Sequence, residues 1–322
     1  MQTKKDLRIV YMGTPDFAVE SLKALVEGGY NVVGVITMPD KPAGRGHKLQ
    51  MSAVKTYALS QSLPILQPEK LKDEEFLAKL KEWNADLQIV VAFRMLPEVV
   101  WNMPKLGTFN LHASLLPQYR GAAPINWAVI NGEKETGATT FFLTHEIDTG
   151  RIILQEKISI GNDENVGSVH DRLMSMGGTL VTKTVDAIIE GKVEAKEQEN
   201  FFNDPTELKA APKIFKDTCK IDWDNSSISI YNLIRGMSPY PAAWSELKNN
   251  EDKLAVKIYE AEIVDQTPST APGSIKTDYK TFIDVATADG YIRINSLQIA
   301  GKKRMDTTSL LNGFKLLETH SF

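Results

Sequence analysis

An α/β first domain on a mostly parallel sheet, followed by a smaller β-barrel domain, is the fold that the sequence predicts. Three observations carry that expectation. Apolar strand-like runs alternate with helix-periodic runs as far as Gly191, the pattern of strand–helix–strand units with helices on both faces of a sheet. The periodicity then stops in a charged segment that contains Asn203-Asp204-Pro205, a turn-and-linker signal. Beyond it come short apolar or alternating runs separated by Thr267-Pro268-Ser269, Pro272-Gly273 and Asp289-Gly290, as in a small barrel or sandwich. The expected division is a first domain over 1–191, a linker over 192–212 and a second domain over 213–322. A chain of 322 residues accommodates two domains at roughly 100–200 residues each.

Residues 7–12 form the first expected strand, ending in Gly13-Thr14-Pro15. Phe17, Ala18, Leu22, Leu25 and Val26 then repeat at helical spacing, with Thr14 read as the N-cap and Pro15 as the first helical residue. Residues 31–37 read as a strand, 71–83 as a helix, and 85–93 as a long apolar strand of the buried parallel type. Further strands are expected at 108–112, 138–144 and 151–160, and a long helix at 166–189. In the second domain a helix over 229–235 precedes strands at 255–264, 273–275, 281–287 and 291–299.

Composition narrows the function classes. Hydrophobic residues make up 42% and charged residues 24% of the chain, the mix of a folded protein with a real core. No run approaches the ~20 apolar residues of a membrane helix, and the start of the chain lacks the features of a secretion signal. Cys219 is the sole cysteine, so no internal disulfide or multi-cysteine zinc site is available, and a reducing, cytoplasmic setting is expected. The net charge of −4 excludes a protein that merely coats nucleic acid; any such contact must rest on local basic patches.

Gly13-Thr14-Pro15-Asp16-Phe17 has one glycine and a proline where a phosphate cradle needs several backbone donors, so it reads as a tight turn. In the expected strand 108–112, alternation puts Asn110 and His112 on one face and Phe109 and Leu111 on the other. An amide donor and an imidazole then share a strand end, where open α/β sheets hold ligands. The alternative is a polar sheet edge with His112 satisfied by a carbonyl. His145-Glu146-Ile147-Asp148-Thr149-Gly150 is either a turn capped by its own carboxylate or the source of an acid that joins Asn110 and His112. No Gly-x-Ser-x-Gly elbow or metal-type histidine pair is present, which leaves serine hydrolysis and zinc chemistry as weak competitors.

Asn110-x-His112, Ser114-Leu115-Leu116-Pro117-x-x-Arg120-Gly121-x-x-Pro124-x-x-Trp127 and Asp148-x-Gly150 resemble the signature of the 10-formyltetrahydrofolate-dependent formyltransferase family. Pro39–Gly46, Ile221-Asp222-Trp223, Arg235–Trp244 and Ala300–Lys303 extend the resemblance to the branch of that family acting on methionyl-tRNA. The chain departs from it at Phe93-Arg94-Met95-Leu96, where the family has a Tyr-Gly stretch lining the pterin pocket. The resemblance implies a Rossmann-like formyltransferase domain over 1–191 and an OB-like, tRNA-binding barrel over 213–322. It implies transfer of a formyl group from the co-substrate 10-formyltetrahydrofolate to the α-amine of initiator Met-tRNA, with no metal, no membrane and no obligatory protein partner. Asn110, His112 and Asp148 would be catalytic, and Ser114, Leu115, Leu116 and Pro117 would lie against the folate. The segment 38–55 carries Lys41, Arg45, Lys48 and Lys55 around Gly44 and Gly46. Composition alone reads it as a solvated loop; the resemblance implies that Lys41, Arg45 and Lys48 meet the tRNA acceptor end. Lys302, Lys303 and Arg304 form a candidate phosphate-binding patch on the barrel.

Overall fold

In a computed structural model, described for residues 3–43 and 48–322, the chain forms two compact units. The first comprises Met1–Pro124, Thr136–Ile158 and His170–Ala210, and the second Ile125–Glu135, Ser159–Val169 and Ala211–Phe322.

The elements of the first part of the chain are β1 (Ile9–Gly13), α1 (Phe17–Glu27), β2 (Val32–Ile36), β3 (Lys41–Ala43), β4 (Lys48–Gln50), α2 (Ala53–Ser60), β5 (Ile65–Leu66), α3 (Glu74–Glu82), β6 (Leu87–Val91), α4 (Glu98–Trp101), β7 (Thr108–His112), β8 (Arg120–Gly121), α5 (Pro124–Ile130), β9 (Glu135–Phe142), β10 (Ile152–Ser159) and α6 (Val166–Ile189). Seven strands form one sheet in the order β10-β9-β7-β6-β1-β2-β5. β1 runs parallel to β2 and β6, β2 to β5, and β6 to β7, while β9 is antiparallel to β7. All five residues of β1 and of β6 are buried, which is why their sequences show no alternation and are apolar apart from Gln88, whose Oε1 accepts from the Thr108 hydroxyl.

One face of the sheet is covered by a cluster that includes Val10, Met12, Ile36, Phe76, Leu80 and Val90. On β7 itself, a β-carbon at Gly177 of α6 would stand 2.7 Å from Leu111 Cδ2, and one at Gly178 would stand 3.1 Å from the Glu20 carbonyl. The glycine pair lets α6 lie close against β7 and α1. Leu111 is thereby pinned on the buried face, and the alternation of the pleat commits Asn110 and His112 to the opposite one.

The structure moves some boundaries. The cap of α1 is Asp16, whose side chain accepts from the Phe17 N–H, and not Thr14; the Ala18 N–H reaches back to the Pro15 carbonyl at 3.0 Å, so a turn comes before the helix. Antiparallel β3 and β4 lie within the stretch 38–55 read as loop, and α2 begins in it and runs on to Ser60. Residues 192–210, read as linker, belong to the first unit. Lys196 and Ile152 exchange both backbone hydrogen bonds at 2.8 and 2.9 Å, and Gln198 is fully buried. Polar, aperiodic composition conceals such a segment, because backbone pairing and one buried amide hold it in place without an apolar face.

The second unit holds β11 (Ala210–Ala211) at its border, then α7 (Ser227–Met237), β12 (Ala243–Asn249), β13 (Asp252–Val264), β14 (Ile275–Thr277), β15 (Ile283–Ala286), β16 (Tyr291–Ile299), β17 (Met305–Asp306), α8 (Thr307–Gly313) and β18 (His320–Ser321). The antiparallel sheet runs β14-β15-β16-β13-β12-β18 with β17 on β16. A bridge between Ser274 and Ser321, with the Phe322 N–H on the Gly273 carbonyl at 2.9 Å, nearly closes it into a barrel. Ile230, Ile234 and Met237 of α7 fill its core with Val256, Ile258, Ile292 and Ile294. Arg235 of α7 is buried and donates to the carbonyls of Gly161 and Glu164 at 3.2 and 3.0 Å and to Asn232 Oδ1 at 2.8 Å. The motif Arg235–Trp244 is thus in part a structural clamp on the 159–169 segment. Cys219 belongs to this core, and burial pushes its thiol above the ordinary range, which makes it a poor nucleophile.

Candidate active site

The C-terminal end of β7 carries the first two groups of the site. Phe109 and Leu111 are buried on the α6 side of the sheet, while Asn110 is half-buried on the other face. Among the described residues the Asn110 carboxamide is committed to no hydrogen bond, which leaves its N–H₂ available to a ligand. His112 is 7% exposed, and its Nε2 lies 2.8 Å from the Tyr119 carbonyl. A carbonyl only accepts, so Nε2 carries a proton and donates. The other edge of the ring, Nδ1, faces the Asp148 carboxylate at 3.8 Å, beyond direct hydrogen-bond range and close enough for a charged imidazole to interact with the carboxylate.

Tyr119, whose carbonyl this is, has a left-handed backbone, with φ +61°. Two residues on, the Gly121 N–H donates to Asp148 Oδ2 at 3.0 Å. Asp148 is itself left-handed, at φ +55°, a conformation uncommon for a residue with a side chain. Of the two placements of the Asp148 carboxylate considered from sequence, the structure has the one beside His112. The carboxylate does not close its own turn; it is delivered to Gly121 and to the imidazole. Gly150 completes the turn, since a β-carbon there would fall 1.7 Å from the Phe142 carbonyl oxygen.

Between His112 and Tyr119 the chain is packed inward. The Thr139 hydroxyl donates to the Ser114 carbonyl at 2.7 Å and accepts the Leu116 N–H at 3.1 Å. Gln155 Nε2 donates to the Leu116 carbonyl at 2.7 Å, and Ser114 Oγ donates to the Gln118 carbonyl at 2.7 Å. Leu116–Pro117 is a cis peptide. The Leu116 side chain, 1% exposed, packs with Phe141 and Ile152 in a small core cluster. Ser114 and Pro117 are buried too, and Leu115 is partly exposed. The four residues therefore shape the ground beneath the His112 loop, and Leu116 does so from the interior.

Arg94, in the stretch that departs from the family pattern, donates through both terminal nitrogens to the Glu69 and Pro68 carbonyls. Met95 beside it is largely exposed. The segment is tied down by a guanidinium fork where a Tyr-Gly pair would stand.

The basic candidates separate by placement. Arg45 lies outside the described residues. Lys41 is exposed in β3, Lys48 lies in β4, and Lys55 pairs with Asp40 at 2.6 Å. On the barrel, Lys302 and Lys303 are exposed after β16. Arg304 instead bridges Glu260 at 2.5 Å, donates to Ser296 Oγ at 2.8 Å and lies over the Tyr259 ring at 4.5 Å. Its guanidinium staples β13 to the turn, unlike the two lysines. Reading by residue type missed the Tyr119 carbonyl, the Gly121 N–H and Gln198. The first two are backbone groups with no side-chain signature, and the third sits in an aperiodic segment.

Residues 7–185 match the family model described as "Formyl transferase", and residues 213–315 the one described as "Formyl transferase, C-terminal domain". The chain is 67% identical over 320 residues to a methionyl-tRNA formyltransferase of Parabacteroides distasonis, covering 99% of both chains. It is 67% identical over 316 residues to one of Bacteroides fragilis, covering 98% of this chain and 97% of that one. Among solved structures, an N-formyltransferase from Helicobacter canadensis in complex with folinic acid and dTDP-3-aminofucose is 19% identical with a TM-score of 0.64, covering 93% of this chain and 100% of that one. HypX from Aquifex aeolicus in complex with tetrahydrofolic acid is 15% identical with a TM-score of 0.63, covering 98% of this chain and 51% of that one. At these identities the two structures speak to the fold alone.

Proposed function

The chain belongs to the formyl transferase family, and from that premise we propose that it transfers the formyl group of 10-formyltetrahydrofolate to the α-amine of methionine on initiator tRNA. The observation that carries this reading is identity to methionyl-tRNA formyltransferases along the whole chain. The geometry around His112 supplies the chemistry.

The amine nitrogen bonds to the formyl carbon, the bond from that carbon to the folate nitrogen breaks, and the amine proton passes to the departing nitrogen. Negative charge develops on the formyl oxygen along the way. The N–H₂ of Asn110, which bonds to no other described residue, can donate to that oxygen. With Nε2 held by Tyr119, the Nδ1 edge of His112 is the one that can exchange a proton, directly or through water. The Asp148 carboxylate stabilises the imidazolium when that edge is charged. Ser114, Leu115, Leu116 and Pro117 support the folate side, Leu116 by holding the loop backbone and not by direct contact.

In this reading the 1–191 domain performs the transfer, and the 213–322 barrel with Lys302 and Lys303 binds tRNA phosphates. Lys41, Arg45 and Lys48 meet the acceptor end. A cytoplasmic location goes with a charged-tRNA substrate. The deciding assay supplies 10-formyltetrahydrofolate with either methionine-charged initiator tRNA or a UDP-amino sugar as acceptor. Transfer to the tRNA is expected; transfer to the sugar with none to the tRNA overturns the proposal.

A further inference from the structure

The turn that carries Asp148 is held from behind by a side chain that the chemistry above does not use. Gln198 is fully buried in the segment 192–210. Its Nε2 donates to the carbonyls of Asp148 and Gly150, both at 2.9 Å. Its Oε1 accepts from Arg120 Nε at 3.0 Å and from Arg120 Nη2 at 2.6 Å. The amide has one workable orientation. Flipped, it would set N–H₂ against a guanidinium that only donates and an oxygen against two carbonyls that only accept.

These bonds join the two pieces of chain that locate the Asp148 carboxylate. One is the left-handed Asp148 turn; the other is Arg120-Gly121, whose N–H at Gly121 holds Asp148 Oδ2 at 3.0 Å. The backbone of Asp148 is left-handed, an uncommon conformation for a residue with a side chain, and its own carbonyl and that of Gly150 are both bonded. Gln198 bonds the carbonyls on either side of Thr149 and, through Arg120, the neighbour of Gly121.

We propose that Gln198 is a positioning residue for formyl transfer, fixing the Asp148 carboxylate beside the imidazole of His112 by clamping the 148–150 turn to Arg120. The inference rests on the function proposed above. Nothing about Gln198 requires contact with either substrate, so its effect falls on turnover and its pH dependence and not on substrate affinity.

The test compares wild type, Gln198→Met and Gln198→Glu as full-length purified proteins. Gln198→Met keeps the volume and removes all four bonds; Gln198→Glu keeps the acceptor for Arg120 and replaces the donor to the two carbonyls by an oxygen that repels them. Each is expected to lower kcat by about 10²-fold, the cost of a displacement of about 1 Å in a catalytic group. Both KM values should stay within about threefold, and the midpoint of the pH–kcat profile should move by about half a unit or more. Wild-type kcat and pH profile in a folded variant overturn the proposal. A fall in kcat with an unmoved pH profile and a matching loss of thermal stability overturns it in favour of a purely structural role, as does failure of both variants to fold. The wild-type assay keeps the two questions apart: no transfer by wild type refutes the function, whereas normal transfer by wild type and variants alike refutes only the role of Gln198.

Discussion

Asn110, His112 and Asp148 differ in how far the fold depends on them, and that difference separates their expected phenotypes. Among the described residues the Asn110 carboxamide makes no hydrogen bond, so Asn110→Ala should lower kcat by about 10²–10³, as loss of one oxyanion donor does, while leaving the urea midpoint unchanged. His112→Ala also removes the hydrogen bond to the Tyr119 carbonyl and should lose about 0.5–1.5 kcal/mol of stability beside its kinetic effect. Asp148→Ala should depress kcat as well, and the His112/Asp148 double variant should be little slower than the slower single, because residues acting as a unit lose their effect together. Steady-state kinetics and urea titration of the four proteins check this; multiplicative losses would mean independent roles. The strand alternation that put Asn110 and His112 on one face was legible in sequence, because the pleat has a period of two whatever surrounds it. A carbonyl partner for His112 was among the alternatives the sequence offered, but that Tyr119 supplies it to Nε2 was not legible, since the contact involves a left-handed residue seven positions away.

At the scale of elements, the Ser114–Pro117 loop changes meaning once its packing is known. A charge at Leu116 would disrupt the cluster with Phe141 and Ile152 before it touched any ligand. Leu116→Ala is therefore expected to cost about 2–5 kcal/mol in urea unfolding; a stable variant with a weakened folate KM would return Leu116 to a ligand wall. α2 shows the converse. Its N-cap Ser52 accepts the Lys55 N–H at 3.0 Å and shares a hydrogen bond with the buried Thr37 hydroxyl at 2.8 Å. Ser52→Ala should cost about 1–2 kcal/mol, read as a shift in the urea midpoint. The helix escaped the sequence reading because its short, weakly amphipathic run adjoins Gly44, Gly46 and four basic residues, the composition of a loop. The 24 residues of α6, by contrast, were legible end to end, because a long apolar stripe repeats enough times to mark both limits.

For the whole molecule, acid sensitivity follows from aspartates spread over both units. Burial opposes ionisation of Asp86, but the Lys105 ammonium at 2.8 Å and the Arg8 N–H at 2.9 Å outweigh it and hold the carboxyl below the usual range. The Ser227 N–H and hydroxyl do the same for Asp289, at 2.7 and 2.9 Å. A carboxylate whose folded pKa is depressed contributes stability that is fully present above its unfolded value of about 3.9 and is lost as pH falls through the folded one. The urea midpoint should hold level from about pH 6 to 5 and fall below about pH 4, less steeply in Asp86→Asn. Binding of tRNA is the second whole-molecule property. Lys302→Ala with Lys303→Ala should weaken tRNA affinity and flatten its dependence on log salt by up to roughly 1 unit for each phosphate left without its cation. Arg304→Ala should act through stability, since its guanidinium is engaged with Glu260, Ser296 and Tyr259. A salt series for the two variants distinguishes these outcomes.

By itself the sequence determined the mostly parallel sheet, a small all-β domain after it, the long helix and the residue types at the end of β7. Each is written in a local period or a contiguous motif that survives without knowledge of what packs against it. Only the tertiary structure decided which groups meet. Asp148 reaches His112 because a left-handed turn, the Gly121 N–H and the buried amide of Gln198 converge from three stretches of chain. Leu116 faces the core because Thr139 and Gln155 hold its backbone. Hydrogen bonds between residues far apart in sequence, and backbone groups that every residue carries alike, leave no periodic trace in composition. The residue types of a site can be read along the chain, while their distances are set by what the fold brings against them.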